Sequence, residues 1–277
     1  MITVGADPEL FVQTQDKFIS AHNLIPGTKQ NPAEVPFGAI QVDGTAAEFN
    51  IKPACSSTEF VHNIGAVIET MSRLIKAKDA TAKLAAVPVA IYDKEYFDSL
   101  PDHAKEMGCD PDYDAWTEEE NQRPETEPFR SGGGHIHVGW GAPDEHRTWS
   151  FAHIQNCQDA VKQLDATLYP ASLIWDTDSK RRELYGGPGA YRPKSYGVEY
   201  RSLSNAWVQD PEIMEWIFNT TVKAMELLND GECIWEGIHF SNIWDNMDCI
   251  DREDITEYYE YLETLGLPPL PECLKGE

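Results

Sequence analysis

The spacing of apolar residues changes period along the chain, and each change predicts an element. Residues 2–12, Ile-Thr-Val-Gly-Ala-Asp-Pro-Glu-Leu-Phe-Val, read as a strand interrupted at Asp7-Pro8-Glu9. Proline cannot donate to a ladder, so the interruption predicts an edge or a bulge. A short strand is expected over 17–25, and 23–37 is a Pro/Gly-rich loop. In 39–52, Ile40, Val42, Phe49 and Ile51 favour strand, with Asp43-Gly44 as a turn or bulge. Ser56 and Glu59 predict a capping box. Phe60, Ile64, Val67, Ile68, Met71, Leu74 and Ile75 then recur at helical spacing as a core stripe. Residues 83–92 predict a strand. Residues 144–168 predict a helix with Phe151, Ile154, Cys157, Val161, Leu164 and Leu168 inward. Residues 196–205 read as strand, and Asp210-Pro211 supplies an N-cap and first-turn proline for the next helix. A last helix over 255–265 precedes a proline-rich tail.

One stretch breaks this rhythm. Residues 94–129 are acidic and turn-rich, with Asp110-Pro111-Asp112 and Glu118-Glu119-Glu120, and are long for a loop. They predict a solvated insertion or a lid that runs into the Arg130 stretch. There is no internal repeat and no low-complexity linker, so residues 1–277 are expected to form a single domain.

Composition narrows the partners. A 41 % hydrophobic content over 277 residues supports a sizeable core. Lys plus Arg number 22 against 47 Asp plus Glu, a net charge of −25, which disfavours phosphate-rich nucleic acid and anionic membranes. Cys55, Cys109, Cys157, Cys233, Cys249 and Cys273 are far apart, with no C-x-x-C pair, so free thiols in a reducing cytoplasm are expected. No signal-peptide pattern and no long apolar run is present.

The candidate chemistry centres on Arg130-Ser-Gly-Gly-Gly-His135-Ile-His137-Val-Gly-Trp140. Period-two alternation puts His135 and His137 on one strand face. That is either half of a polar site or a pair of satisfied histidines on a half-buried sheet. Asp7 and Glu9 share a face in the same way, although Asp-Pro-Glu alone reads more readily as a turn. Asp43 and Glu48 are five apart, so only a bend at Gly44 brings them to one side. Lys180, Arg181, Arg182, Arg192 and Lys194 gather around Gly186-Gly187-Pro188-Gly189, suiting either phosphate oxygens or a surface loop paired with acids. Glu199 and Arg201 share a strand face.

Taken in order, "GADPELF", "VDGTAAEFNI", "GGHIHVGW" and "YGVEYRSLSN" resemble the phage-associated COOH–NH2 ligase family, type 2, within the glutamine synthetase and glutamate–cysteine ligase superfamily. The resemblance spans about residues 2–208. It implies an α+β, glutamine synthetase-like catalytic domain, with a curved, mostly antiparallel sheet and helices packed on its outer face. It implies ATP as co-substrate and two or three Mg²⁺ or Mn²⁺ ions. By motif position, Glu9 and Glu48 resemble ligands of one ion, with Asp43 beside them; Asp7, His135 and Glu199 resemble ligands of another. Arg201 resembles the arginine that contacts the transferring phosphoryl group, with Arg130 as a second catalytic arginine. His137, Arg182, Arg192 and Lys194 are the expected nucleotide-side residues. Aspartate stands at 7 and 43 where the superfamily usually has glutamate, and the N-terminal domain and ring-forming apparatus of glutamine synthetase are missing, so a dodecameric ring is not implied. The implied reaction joins a small-molecule or peptide carboxylate to an amine in the cytoplasm, of a host cell if the chain is phage-encoded. The competing readings are a guanidino-kinase-like phosphotransferase, a zinc hydrolase built on His135 and His137, and a non-enzymatic metal-binding protein.

Overall fold

The computed structural model describes residues 1–105, 112–121, 129–247 and 249–275. The chain starts with β1 (Thr3–Ala6), β2 (Glu9–Thr14), β3 (Lys17–Ile19), β4 (Ala33–Val35), β5 (Gly38–Asp43) and β6 (Ala46–Ile51). Helix α1 (Ser57–Lys78) leads to β7 (Lys83–Ala85), β8 (Val89–Ile91), α2 (Lys94–Ser99), α3 (Asp102–Lys105) and β9 (Tyr113–Asp114). Next come β10 (Phe129–Ser131), β11 (Ile136–Gly139), α4 (Phe151–Thr167), α5 (Tyr169–Trp175) and α6 (Ser179–Leu184). The rest is β12 (Ala190–Lys194), β13 (Gly197–Tyr200), α7 (Pro211–Asn229), α8 (Ile238–Asp245) and α9 (Arg252–Thr264).

The fold is mixed α+β, and every pairing between these strands is antiparallel. One sheet runs β1-β11-β13-β12-β9, and a second runs β3-β2-β6-β5-β4 with β7 also on β2. Strands β8 and β10 form a separate pair. Pro8 explains the break between the two larger sheets, because it has no N–H to give. On either side of it the Asp7 and Glu9 N–H groups still donate to the carbonyls of His135 (3.3 Å) and Gly133 (2.9 Å). Asp7-Pro8-Glu9 is therefore the joint between two sheets rather than a turn.

Helices α1, α4 and α7 pack on one side: α4 against β12 and β13, α1 against β5 and β6, α7 against β1. Val4, Ile136, Val138, Val198 and Tyr200 from the strands enter one core with Phe60, Ile64, Val161, Leu164 and Ile217 from those helices. Ser56 caps α1 by accepting from the Glu59 N–H, while the Glu59 carboxylate accepts from Cys55, one residue short of a reciprocal box. Asp210 caps α7 and Pro211 opens it.

Three elements differ from the periodicity. The strand expected over 83–92 is broken before Pro88 into β7 and β8, which join different sheets. The loop over 23–37 contains β4. Helix α4 begins only at Phe151, capped by Ser150; Phe151, in its first turn, is 84 % exposed rather than inward. Its buried face instead includes the polar Gln158, Gln163 and Asp165.

Candidate active site

On the sheet face away from the helices, functional side chains stand in a row across four strands. Gly5 of β1 pairs with His137 of β11, His137 with Glu199 of β13, and Glu199 with Arg192 of β12. Directly opposed residues point to one face. The next row, Val4, Val138, Val198 and Pro193, points the other way. Gly5 has no side chain to crowd the row; a Cβ there would sit 3.4 Å from that of His137.

A second group lies beside it. Glu9 of β2 pairs with Glu48 of β6, and Glu48 with Gln41 of β5. Asp43 is two residues beyond Gln41, so Glu9, Gln41, Asp43 and Glu48 share a face. A hairpin at Gly44 (φ +57°), rather than a bend in one strand, brings Asp43 and Glu48 to the same side. Gln41 donates to Glu48 at 2.7 Å, and Glu9 accepts from the Gly133 N–H at 3.0 Å. Buried Arg130 on β10 reaches the Asp43 carbonyl at 3.4 Å.

The glycines before His135 are required by close approach. A Cβ on Gly133 would lie 2.2 Å from His135 Nε2. One on Gly132 would lie 2.3 Å from the Asn205 amide, and one on Gly134 would strike Ser204 O and the Trp207 indole. The turn after β13 thus packs directly on the glycine run, and Asn205 ties it to the Glu9 carbonyl (2.6 Å).

His135 is buried. Its Nδ1 lies 3.2 Å from Asp7 Oδ1, 3.5 Å from Glu199 Oε1 and 3.4 Å from Arg201 Nη1, and its Nε2 lies 3.1 Å from the Tyr185 hydroxyl. His137 Nε2 is 3.0 Å from Asp7 Oδ1, and its Nδ1 meets the Tyr196 hydroxyl at 2.5 Å. Glu199 also receives Lys194 (2.6 Å), Arg192 (3.6 Å) and Arg201. Arg201 further binds Asp112 through Nε at 3.0 Å and lies over the Tyr185 ring at 5.2 Å.

Charge and burial compete here. Burial raises the Glu48 carboxyl well above its usual range, and Asp7, Asp43 and Glu9 add to the rise. Burial and Glu9 raise Asp43 against the pull of Arg130. Burial would also raise Asp7, but His137 and His135 overcome it and hold Asp7 well below the usual range. Glu199 is lowered although burial and Asp7 oppose it, because Lys194 and the two histidines prevail. Burial and Arg201 lower His135.

Among the described residues, Asp7, His137 and Glu199 each offer a ligand atom within 4.8 Å of the others. Not every expected residue joins them. Arg182 is held by Asp176, through its carbonyl at 2.6 Å and its carboxylate at 3.4 Å. Arg181 is fully buried and donates to the carbonyls of Ser202 (2.8 Å) and Leu203 (2.7 Å), so it is a scaffold residue. The reading of the chain missed Asp112, Tyr185 and Tyr196. They come from irregular segments, where no period marks an inward side chain; the one available signal was the nearness of Tyr196 to Lys194 and Glu199 in sequence. Of the acidic 94–129 segment, residues 106–111 and 122–128 lie outside the described residues.

The family model of the phage phiEco32-like COOH.NH2 ligase-type 2 matches residues 126–226. The match contains Arg130, His135, His137, Arg192, Lys194, Glu199 and Arg201; Asp7, Glu9, Asp43 and Glu48 lie outside it. No curated protein matches the chain.

Proposed function

We propose that this protein is an ATP-dependent carboxylate–amine ligase of that family, with one glutamine synthetase-like catalytic domain. The observation that carries the reading is the convergence of Asp7, His137 and Glu199, with Lys194, Arg192 and Arg201 on the same glutamate. The family match supplies the reaction class. Cations crowding a ligand glutamate suit a polyphosphate better than the open water of a zinc hydrolase.

The acid groups fit divalent ions. Glu48 and Asp43 are raised partly by neighbouring like charges, a repulsion that a cation relieves. Asp7, Glu199 and an imidazole would hold one ion, and Glu9, Asp43 and Glu48 another; oxygen-rich sets with one imidazole suit Mg²⁺ or Mn²⁺. When bound, such ions would neutralise polyphosphate charge. A carboxylate is a poor acyl donor. Its oxygen attacks the γ-phosphorus of ATP, ADP leaves, and an acyl phosphate forms. The amine nitrogen then attacks the acyl carbon, inorganic phosphate leaves, and the nitrogen loses a proton. Arg201 and Arg130 would stabilise charge on the phosphoryl oxygens. Arg192 and Lys194, both on Glu199, would face the nucleotide side, and Asp112 touches Arg201.

The test is nucleotide turnover against pooled amino acids and peptides. Ligation predicts ADP and inorganic phosphate in equal amounts, dependent on both a carboxylate and an amine. ADP with no free phosphate would indicate a kinase, and amide hydrolysis without nucleotide a hydrolase.

A further inference from the structure

We propose that Asp112 is the positioning residue of Arg201, and that residues 112–121 are the part of the acidic segment that delivers it. The inference rests on the ligase reading, in which Arg201 meets the transferring phosphoryl group.

The side chains of Asp112 and Arg201 are both buried, and Asp112 Oδ2 accepts from Arg201 Nε at 3.0 Å. Glu199 accepts from Nη1 of the same guanidinium, and the Tyr185 ring lies 5.2 Å from its central carbon. A guanidinium held by one carboxylate can swivel about that contact on its long stem. Two carboxylates on different nitrogens fix its plane. Glu199 is a divided partner, since Lys194 (2.6 Å) and Arg192 (3.6 Å) pair with it as well. Asp112 supplies the second anchor.

The segment that bears Asp112 is docked by other groups. The Asp112 carbonyl accepts from the Asn121 N–H at 2.9 Å, and β9, which follows it, pairs with β12. The Ala115 N–H donates to the Gly189 carbonyl (2.9 Å) and the Trp116 indole to Asp165 (2.7 Å). The Tyr113 ring packs 6.1 Å from that of Tyr191. Ala190 of β12 pairs with Asp114 and also accepts from the Arg201 N–H at 2.8 Å, so one strand carries both partners. None of these contacts uses the Asp112 carboxylate. Removing that carboxylate should leave the segment docked and free the guanidinium, which is the signature of a positioning group. Asp112 lies outside residues 126–226, so the family match assigns it no role.

The experiment combines steady-state kinetics with nuclear magnetic resonance of the whole ¹⁵N-labelled protein. The Arg201 Nε–H signal is identified by its absence in Arg201→Lys, and its exchange with water is measured with no nucleotide present. Asp112→Ala should speed that exchange about 10-fold or more. It should also lower kcat for ligation about 10-fold or more, as for a misplaced group, and change KM for ATP less than about 3-fold. In the Arg201→Lys background the same substitution should cost less than about 2-fold, because its target is gone. A merely structural role gives equal losses in both backgrounds and overturns the proposal, as does wild-type Nε–H exchange in Asp112→Ala. Circular dichroism shows whether each variant is folded; should Asp112→Ala fail, Asp112→Asn, which keeps the shape and lacks the charge, decides by the same readings. Should the wild type show no ATP-dependent ligation, the ligase reading falls, and the exchange measurement alone decides whether Asp112 fixes Arg201.

Discussion

Arg201 meets Asp112, Glu199 and His135 with one guanidinium. A lysine in its place keeps the charge but loses the planar fork, so it cannot hold the same partners. If, as proposed, Arg201 meets the phosphoryl group chiefly in the transition state, Arg201→Lys is expected to lower kcat on the order of 10²-fold or more, with ATP affinity nearly unchanged. Steady-state kinetics with a nucleotide titration checks this; near-wild-type turnover in the lysine variant contradicts it. Gly133 allows an equally sharp test. The Cβ of Gly133→Ala would overlap the His135 ring, so that ring must shift away from Asp7 and Tyr185. The variant should fold yet lose at least about 10-fold in activity, in line with displaced positioning groups; full activity would show that the ring needs no fixed place. At this scale, the strand periodicity shows which side chains share a face, as for His135 with His137 and Glu199 with Arg201. It does not show their partners. The Tyr185, Tyr196 and Asp112 contacts arrive from turns and loops, and pairing there depends on the whole fold.

Strand β13 is fixed from behind by helix α4, through one residue that the apolar stripe of that helix conceals. Asp165 is completely buried. Its Oδ2 accepts from the Trp116 indole and the Gly189 N–H, both at 2.7 Å, and its Oδ1 lies 2.8 Å from the Tyr200 hydroxyl and 3.4 Å from that of Ser202. Burial pushes its carboxyl up to about 7 against the lowering effect of these donors. The two N–H groups can only donate, whereas the hydroxyls can also accept, so a proton on Oδ1 is satisfied too. A raised carboxyl pKa favours the folded state at low pH. That contribution is fully present below the unfolded value near 3.8 and is lost as pH rises through about 7. Asp165→Asn copies the protonated form, with its amide nitrogen facing the hydroxyls. Urea midpoints at pH 5 and pH 8 should therefore fall less in the variant than in the wild type; equal falls would contradict the assignment. Apolar spacing marked the core stripe of α1 correctly. It could not mark a buried aspartate, because burial of a charge is set by donors on other elements, here from the turn after β9, β13 and the glycine loop.

Across the whole molecule, the strand blocks that carry the acids and histidines were legible in order, while their division into sheets was not. The cause is local at Pro8 and at the break between β7 and β8, where one missing donor or one kink decides which neighbour a strand joins. The net charge of −25 includes a cluster of acids, Glu9, Asp43 and Glu48, on one sheet face at the site. Asp7, Asp43 and Glu9 push the Glu48 carboxyl up, and Glu9 pushes up that of Asp43, so the cluster calls for outside positive charge. Mg²⁺ or Mn²⁺ should raise the melting temperature and excess EDTA should abolish the rise. Glu48→Gln should melt higher than wild type in EDTA, since it removes a repelling charge, and should gain less from the ion. An equal gain in both proteins would remove Glu48 from the metal set. The central claim is that a carboxylate is activated by phosphorylation, and oxygen transfer tests it most directly. With the carboxylate substrate found by the turnover screen labelled with ¹⁸O, ligation through an acyl phosphate carries one labelled oxygen into the released inorganic phosphate. The account predicts that label, in phosphate formed together with ADP and amide. Phosphate released without the label, or ADP formed with no phosphate at all, would contradict it.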